Sequence, residues 1–289
     1  MNQRICQIID SAGSLPRKLL QNYKISEASF YVRFKNMDYV KANVEFDTDQ
    51  FYTRMESDPD DVPKTAAPNI HDWLSILKER YAAGARQFII TTISSKLSAS
   101  TQTAHAAKEM FEQEYDAPVE VIDTKTCACG QAAFEIWIAR MIESGKNFEE
   151  LVQKARDMVP RINTLFAVDS LKYMAAGGRI GAASSLLGAL INIKPVCEFV
   201  DGEVKVVKPI VGRKRSIRAM VDEAASRIKD FDRAIIVLQN ANSNQDAEYM
   251  YNYLKDKAKE KIEVFRSGLG ITVGAHSGPG SIGIGFLEY

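Results

Sequence analysis

Gln87-Phe88-Ile89-Ile90-Thr91-Thr92-Ile93 is a continuous β-rich run that leads directly into Ser94-Ser95-Lys96-Leu97-Ser98-Ala99-Ser100-Thr101. The first segment predicts a central strand of a parallel sheet. The second segment predicts a turn followed by a helix that extends to about Tyr115. In open α/β sheets, ligands bind beyond the carboxyl ends of the strands, where helix N-termini attract anions. This junction therefore indicates both the fold class and the place of a ligand.

Hydroxyl side chains concentrate where this strand ends. Ser94, Ser95 and Ser98 follow it directly, with Ser98 at the predicted N-cap position of the next helix. Thr65 lies in the loop before the preceding helix, at an edge that could face the same place. Capping explains Ser98 taken alone, but the cluster exceeds what one cap requires, so part of it is available to a ligand. Neutral hydroxyls beside a helix N-terminus suit a carboxylate better than a triphosphate, and the segment is not a Walker A sequence.

The rest of the chain alternates strand and helix patterns, which is typical of α/β architecture. At 289 residues the chain is long enough for two domains. We predict an N-terminal α/β domain of residues 1–163 with a largely parallel sheet, and a C-terminal α/β domain of residues 164–289. In the second domain, Asp201-Gly202 is a strong type I′ turn signal and predicts a hairpin.

Composition limits the possible functions. Lys plus Arg and Asp plus Glu number 37 each, so no global charge attracts the chain to nucleic acid. The N-terminal residues carry no long apolar run or cleavage signal, which argues against export and favours the cytoplasm. The stretch from Ser185 to Ile193 is too short to span a bilayer, so no stable membrane insertion is expected. Cys127 and Cys129 lack the spacing and partners of a redox or metal site and are interpreted as small buried thiols at a helix start, so neither metal nor cofactor is expected.

Two glycine-rich elements present basic side chains. Gly274-Ala275-His276-Ser277-Gly278-Pro279-Gly280 predicts a loop in which an anion approaches the backbone near an imidazole, although an ordinary tight turn explains it equally well. Ala176-Gly177-Gly178-Arg179-Ile180-Gly181 presents an arginine and favours the anion interpretation. The following segment, 180–191, is apolar and rich in small residues. This composition fits either the lining of a tunnel or an ordinary buried helix.

An ordered series of short motifs covers nearly the whole chain and resembles the DegV family, which includes the FakB subunits of bacterial fatty acid kinase. The motifs are Ile9-Asp10-Ser11, Lys64-Thr65-x-x-Pro68, Ile93-Ser94-Ser95-Lys96-Leu97-Ser98, Val121-Ile122-Asp123-Thr124, Gly177-Gly178-Arg179-Ile180, Asn192-Ile193-Lys194-Pro195 and His276-Ser277-Gly278-Pro279-Gly280. The resemblance implies a DegV/EDD-like fold of two α/β domains that holds one long-chain fatty acid.

The resemblance also implies roles for individual residues. Thr65 and Ser98 would hold the carboxylate, with Ser95 and Ser94 as the next candidates. Arg179 and His276 would lie near the carboxyl end and contact the phosphoryl group or the acyl phosphate. Members of the FakB type present the carboxyl group to a separate ATP-binding kinase subunit, which places such a protein in phospholipid metabolism.

The chain departs from the family pattern in both carboxylate-binding loops. It reads Thr65-Ala66-Ala67-Pro68-Asn69 where the family usually has Thr-Ser-Gln-Pro-Ser, and Leu97-Ser98-Ala99-Ser100 where the family has Leu-Ser-Gly-Thr. The hydroxyl anchors are retained, whereas polar neighbours and a glycine are replaced by alanines.

The prediction is a cytoplasmic fatty-acid-binding protein that delivers its ligand to a fatty acid kinase and is not itself an enzyme. Two alternatives stay open. One is a lipid-binding sensor or scaffold without a kinase partner. The other is a stand-alone phosphotransferase or hydrolase that uses His276 with Asp10 or Asp123.

Overall fold

The computed structural model describes residues 5–42, 44, 46–188, 193–258 and 262–289. Within these ranges, strands and helices alternate as predicted. The strands are β1 (Ile5–Asp10), β2 (Ser26–Ala28), β3 (Tyr31–Arg33), β4 (Val40–Lys41), β5 (Lys64–Ala66), β6 (Gln87–Thr92), β7 (Val119–Asp123), β8 (Asn163–Ala167), β9 (Val196–Val200), β10 (Glu203–Lys208), β11 (Ala234–Asn240), β12 (Val264–Gly268) and β13 (Ile282–Glu288). The helices are α1 (Arg17–Asn22), α2 (Thr48–Ser57), α3 (Ile70–Ala82), α4 (Ser100–Glu114), α5 (Ala128–Glu143), α6 (Phe148–Met158), α7 (Lys172–Ala176), α8 (Arg213–Arg227), α9 (Asn244–Ala258) and α10 (Ile271–Ser277).

The strands form three sheets. A four-stranded sheet has the order β2-β1-β6-β7 with every pair parallel, which confirms the parallel sheet predicted around β6. A six-stranded mixed sheet has the order β10-β9-β8-β13-β11-β12. The small antiparallel sheet β4-β3-β5 places Thr65 opposite Val32, so the segment predicted as a loop before α3 contains a strand. The predicted α/β class is confirmed.

The predicted hairpin of the second half is confirmed as well. β9 and β10 pair antiparallel, and their turn residues Asp201 and Gly202 both have positive φ, 50° and 85°, as a type I′ turn requires. β8 begins at Asn163, next to the predicted domain boundary, and the division into two domains stays a prediction. Within the apolar segment 180–191, Gly181–Leu186 form a 3₁₀ helix, and residues 189–191 lie outside the described residues.

Helix α5 is buried between the two large sheets. Residues 128–139 of this helix are all buried, including Gln131 and Glu135, and only its C-terminal end reaches solvent. It shares one hydrophobic cluster with Ile9 and Ile89 of the parallel sheet and with Ile235 and Leu287 of the mixed sheet. The helix therefore joins the two halves of the chain through one core.

The N-terminus of α5 packs directly on β13. A Cβ atom at Gly285 would overlap the backbone of Cys129 and Gly130. A glycine is therefore required at this position for the helix to approach the strand so closely, and this contact fixes where Cys127, Ala128 and Cys129 lie.

We predict that Gly285→Ala lowers the free energy of unfolding by about 1–3 kcal/mol, because overpacking forces the helix away from the strand. Denaturant unfolding measures the change. Gly268→Ala is the matched control, because no atom lies within 4 Å of the added Cβ and its φ is not positive. The control should change the free energy of unfolding by less than about 0.5 kcal/mol. Equal losses in both variants would contradict the proposed contact.

A pair of fully buried carboxyl groups lies between α5 and the parallel sheet. The Gln131 Nε2 atom donates to Asp10 Oδ1 and to Glu135 Oε1, both at 2.9 Å. Burial raises the pKa of Glu135 well above its ordinary value, and the nearby Asp10 carboxyl raises it further. Burial raises the pKa of Asp10 as well, but hydrogen bonds from Ser100, Gln131 and two backbone amides act in the opposite direction. We therefore assign the proton at neutral pH to Glu135.

We predict that Glu135 makes the stability of the protein fall as pH rises. A carboxyl whose folded pKa lies above its unfolded value stabilises the native state below the unfolded pKa and loses that contribution as pH rises through the folded pKa. The free energy of unfolding should decrease by up to about 1.4 kcal/mol per pH unit in that window. Glu135→Gln should reduce this slope, and the remainder comes from groups such as Asp10, whose pKa burial also raises. Glu143→Gln, on the exposed end of the same helix, should keep it. Parallel pH profiles for the wild type and Glu135→Gln would refute the assignment.

Candidate functional site

One buried carboxylate fixes both ends of the hydroxyl-rich loop 94–99. Asp10, the last residue of β1, is completely buried. Its Oδ2 atom accepts from the Ile93 amide at 2.9 Å and from the Ser100 hydroxyl at 2.7 Å. Its Oδ1 atom accepts from the Ala12 amide at 3.1 Å. Because Ile93 and Ser100 bracket the loop, Asp10 determines where the loop lies.

The three serines of the loop point in different directions. The Ser94 hydroxyl donates to Gly202 O at 2.9 Å, in the β9–β10 turn, and the Ser95 hydroxyl donates to Asp123 Oδ2 at 2.6 Å. Ser98 lies on the wall of an internal cavity, and neither Ser94 nor Ser95 does. Ser98 is not the N-cap, since Ala99 occupies that position, but its Oγ accepts from the Ser100 amide at 3.2 Å.

The cavity measures about 220 Å³, on a scale on which one water molecule needs ~10–15 Å³. Its wall is predominantly apolar and is contributed by elements from both halves of the chain. The apolar and sulfur-containing side chains are Phe30, Ala67, Ile93, Leu97, Ala99, Cys127, Ala128, Cys129, Phe166, Met174, Phe199, Val204, Leu269, Val273 and Ile282. The space is therefore far larger than a packing defect and suits an apolar guest.

Four of the six predicted site residues meet on this wall: Thr65, Ser98, Arg179 and His276. Thr65 comes from β5, and His276 comes from the last turn of α10. The Thr65 Oγ1 and His276 Nε2 atoms are 2.7 Å apart. The structure thus joins side chains that are 211 positions apart in sequence.

The prediction of a glycine loop around His276 is wrong. Residues Ile271–Ser277 form α10, and only Gly278 and Gly280 of the segment have positive φ. Gly274 lies within the helix, where a Cβ atom would overlap the Tyr52 hydroxyl. The glycine therefore serves close packing, and the helix directs the imidazole into the cavity wall.

His276 is a neutral imidazole at neutral pH. Burial lowers its pKa to about 4, and the positive charge of Arg179 acts in the same direction. The Nδ1 atom is buried and has no hydrogen-bond partner among the described residues, since it faces the Cα of Gly177. The single ring proton is therefore assigned to Nε2, which donates to the Thr65 hydroxyl oxygen.

This tautomer determines what Thr65 can do. Its hydroxyl oxygen already accepts from the imidazole, so its own proton is available for an acceptor in the cavity. Arg179, exposed at the cavity edge, donates its Nε to Leu97 O at 3.1 Å and thus brings a positive charge beside the Ser98 loop. Thr65, Ser98, Arg179 and His276 thus form a polar corner of the cavity. It combines hydroxyl donors, a neutral imidazole and a guanidinium, and this combination is suited to binding a carboxylate.

Parts of the cavity were not predicted from the sequence. Cys127 and Cys129 are buried thiols at the start of α5, as predicted, but they also line the cavity. None of the residues 180–188 lines it, and the rest of the predicted tunnel segment lies outside the described residues. The Gln239 side chain on β11 also reaches the wall. No local pattern marks these positions, because each comes from a different buried element.

Two further structural findings concern metal binding and membrane-spanning helices. Within the described ranges, there is no group of three or more His, Cys, Asp or Glu side chains arranged to hold a metal ion. None of the helices in the described part of the chain has the length and apolarity needed to cross a membrane.

Comparison with known proteins places the fold. The chain is 30% identical over 281 residues to a DegV domain-containing protein of Clostridium acetobutylicum, with 96% of each chain covered. A stearic acid-binding protein from Eubacterium ventriosum has a similar crystal structure, with a TM-score of 0.92 at 25% identity over 98% of this chain and 97% of that one. A fatty-acid-binding DegV family protein from Thermus thermophilus shares the fold, with a TM-score of 0.88 at 22% identity over 99% and 100% of the two chains.

The model of the family described as "Uncharacterised protein, DegV family" matches residues 5–289. The match covers the parallel sheet, the mixed sheet and all four residues of the polar corner. On this evidence the chain belongs to the DegV family.

Proposed function

We propose that this protein binds one long-chain fatty acid in the cavity, with the carboxylate at Thr65 and Ser98 and the alkyl chain along the apolar wall. The observation that carries the proposal is the cluster of Thr65, Ser98, Arg179 and His276 on a predominantly apolar cavity wall. The stearic acid-binding protein of Eubacterium ventriosum, which has the same fold, supports this choice of ligand.

The polar corner meets the electrostatic needs of a carboxylate. A buried carboxylate without partners is costly, so it needs several hydrogen-bond donors. Thr65 and Ser98 each accept a hydrogen bond from the protein, at Thr65 from His276 and at Ser98 from the Ser100 amide, and each keeps a hydroxyl proton to donate. Arg179 adds a nearby positive charge at the cavity edge.

The apolar wall accounts for the affinity of the tail. Each buried methylene contributes about 0.8 kcal/mol, so ~14 methylenes contribute roughly 11 kcal/mol before association costs. Loss of translational, rotational and chain freedom removes several kcal/mol of this sum. The tail therefore supplies most of the binding free energy, and the corner fixes the orientation of the acid.

We predict that Thr65→Ala combined with Ser98→Ala abolishes co-purification of a fatty acid, detected by mass spectrometry. Two hydrogen bonds to a charged group contribute about 3–6 kcal/mol together, and their loss weakens binding by more than about 100-fold. Ser95→Ala is the matched comparison, because its hydroxyl is bonded to Asp123 outside the cavity. If the double variant retained lipid and Ser95→Ala lost it, the carboxylate would be bound by Ser95 and the assignment to Ser98 would be wrong.

We infer that the bound carboxyl group is presented to a separate ATP-binding subunit of a fatty acid kinase, in the cytoplasm and within phospholipid metabolism. The exposure of Arg179 beside the half-buried Thr65–His276 pair supports this inference. The guanidinium is accessible to a second protein at the place where the carboxylate lies. In that complex Arg179 would stabilise the charge of the phosphoryl group, and His276 would orient Thr65 against the acyl group.

The two alternatives differ in what they require of the site. A stand-alone hydrolase or phosphotransferase needs a base oriented by a carboxylate. His276 is bonded to Thr65, and neither Asp10 nor Asp123 lies on the cavity wall, which disfavours that alternative. A lipid-binding sensor or scaffold needs the same cavity, and only a test with a kinase distinguishes it from a kinase subunit.

We predict that His276→Ala retains a bound fatty acid but loses acyl-phosphate formation with a fatty acid kinase and ATP. Without the imidazole the Thr65 hydroxyl loses its fixed orientation, whereas the apolar wall is unchanged. Lipid content by mass spectrometry and acyl-phosphate trapping with hydroxylamine measure the two effects separately. His105→Ala, on the exposed side of α4, is the control and should keep both the bound fatty acid and acyl-phosphate formation. Normal turnover by His276→Ala would show that the imidazole is purely structural.

A further inference from the structure

Two basic side chains lie directly opposite each other on the small antiparallel sheet β4-β3-β5. Arg33 of β3 pairs with Lys64 of β5, and the adjacent pair is Val32 with Thr65. Residues directly opposite each other point to the same face of a sheet, and successive pairs alternate between the two faces. Val32 is fully buried and Thr65 lines the cavity, so Arg33 and Lys64 lie on the other face, which we call the outer face.

No carboxylate compensates this pair of charges within the described part of the chain. Lys64 is exposed, and the Arg33 Cζ atom lies 4.8 Å from the ring centroid of Tyr39. The Asp72 carboxylate of α3 is already engaged, because its Oδ1 atom accepts from the Tyr31 hydroxyl at 2.8 Å. Like charges directly opposite each other destabilise a sheet. The outer face thus carries a pairing that costs stability.

The other antiparallel pairs of the described residues avoid this arrangement. Across β9 and β10, Lys205 lies opposite Glu198, which is a favourable pairing of opposite charges. In the remaining pairs a charged residue lies opposite an uncharged one, or neither residue is charged. The pairing of Arg33 with Lys64 is therefore the exception, and the stability of the sheet does not explain it.

The pair lies beside the proposed carboxylate site. Lys64 directly precedes Thr65, and consecutive residues of a strand are ~3.3 Å apart. A partner that transfers a phosphoryl group to the carboxylate must cover the cavity edge at Thr65 and the exposed Arg179. A stable interface covers ~800 Å² of each partner, which corresponds to a patch with a radius of about 16 Å. The footprint of such a partner therefore reaches Lys64 and Arg33.

Covering two adjacent cations imposes a condition on the partner. Contact removes water from both charges, and a partner without anionic groups at this place would leave two like charges desolvated and close together. Carboxylates on the partner would instead compensate both charges. They would also accelerate association through electrostatic steering.

We propose that the outer face around Arg33 and Lys64 is a docking surface for an acidic surface of the kinase subunit. The inference rests on the proposed delivery of a fatty acid to a kinase, and it identifies where that partner binds and what charge it presents. The pair acts on association and not on phosphoryl transfer, because both side chains lie on the face opposite to Thr65.

The test measures acyl-phosphate formation by the ATP-binding subunit of a fatty acid kinase, with the full-length, fatty acid-loaded protein as the varied substrate. Arg33→Glu combined with Lys64→Glu should raise KM for the loaded protein about 10–100-fold and leave kcat unchanged, because attraction becomes repulsion at two positions. The KM of the wild type should rise with salt concentration, since salt screens exposed charges.

The single variant Lys64→Glu separates docking from folding. It places opposite charges across β3 and β5, so the melting temperature should rise by about 1–2 °C. KM for the loaded protein should nevertheless increase about fivefold, with the lipid content by mass spectrometry unchanged. A purely structural role of Lys64 predicts the opposite combination, a higher KM together with a lower melting temperature.

Lys24→Glu is the matched control. Lys24 is exposed and lies just before the start of β2. Because β2, β1 and β6 are parallel, this position is at the edge of the sheet opposite to the loop 94–99 that follows β6. The control carries the same change of charge and should keep KM, kcat and lipid content.

The outcomes separate this inference from the function on which it rests. If the loaded wild type forms no acyl phosphate, the proposed delivery is wrong and the inference fails with it. If the wild type is a substrate and the double variant raises KM no more than Lys24→Glu does, the delivery stands and the inference is overturned. A lower kcat at unchanged KM also overturns it. Weaker binding of the double variant to phosphatidylglycerol vesicles, with KM unchanged, would assign the outer face to a membrane and overturn it as well.

Discussion

The buried carboxylate of Asp10 is the constraint on which the site depends. Taking a carboxylate out of water is costly unless its lone pairs are satisfied. Asp10 accepts hydrogen bonds from the Ala12 and Ile93 amides, the Ser100 hydroxyl and the Gln131 amide group. These donors belong to the end of β1, the end of β6, the start of α4 and the interior of α5. One side chain thus fixes the loop that carries Ser98 to the helix that joins the two sheets.

The cavity follows from the way α5 is held. Because the helix packs on both large sheets, its N-terminal residues are fixed by close backbone contact with β13, where only a glycine fits at position 285. Cys127, Ala128 and Cys129 then line one part of the cavity, and residues of α10 and β5 line a more polar part. The packing that stabilises the core also maintains the space for a ligand.

The pattern of the sequence predicts the part of the fold that is locally encoded. The run 87–93 forms the predicted strand, and Asp201-Gly202 forms the predicted turn. Both predictions rest on residues that are adjacent in sequence: a continuous β-rich run for the strand, and a residue pair that tolerates positive φ for the turn. The family motifs single out the four residues of the polar corner, and the structure brings them to one cavity wall. Their role in binding a ligand stays a prediction. The sequence does not distinguish a glycine in a turn from a glycine needed for close packing. Gly274 is of the second kind, because a Cβ atom there would overlap the Tyr52 hydroxyl.

The cavity wall and the hydrogen-bond partners could not be predicted in this way. The sequence does not show whether Ser95 or Ser98 faces a ligand. Only the position of Asp123 on the neighbouring strand β7 directs the Ser95 hydroxyl away from the cavity. In the same way, the sequence shows Gln239 as one more residue of a buried strand. The structure shows that its side-chain amide donates to the carbonyl groups of residues 13 and 14. Partners this distant in sequence are set by tertiary structure and leave no periodic signal.

Three buried titratable groups of this protein meet the cost of burial in two ways, through hydrogen-bond partners or through a shifted pKa. Asp10 has partners on both oxygens. Glu135 has one oxygen without a partner among the described residues, and a raised pKa lets it hold a proton. His276 has an unpartnered Nδ1, and a lowered pKa keeps that atom unprotonated.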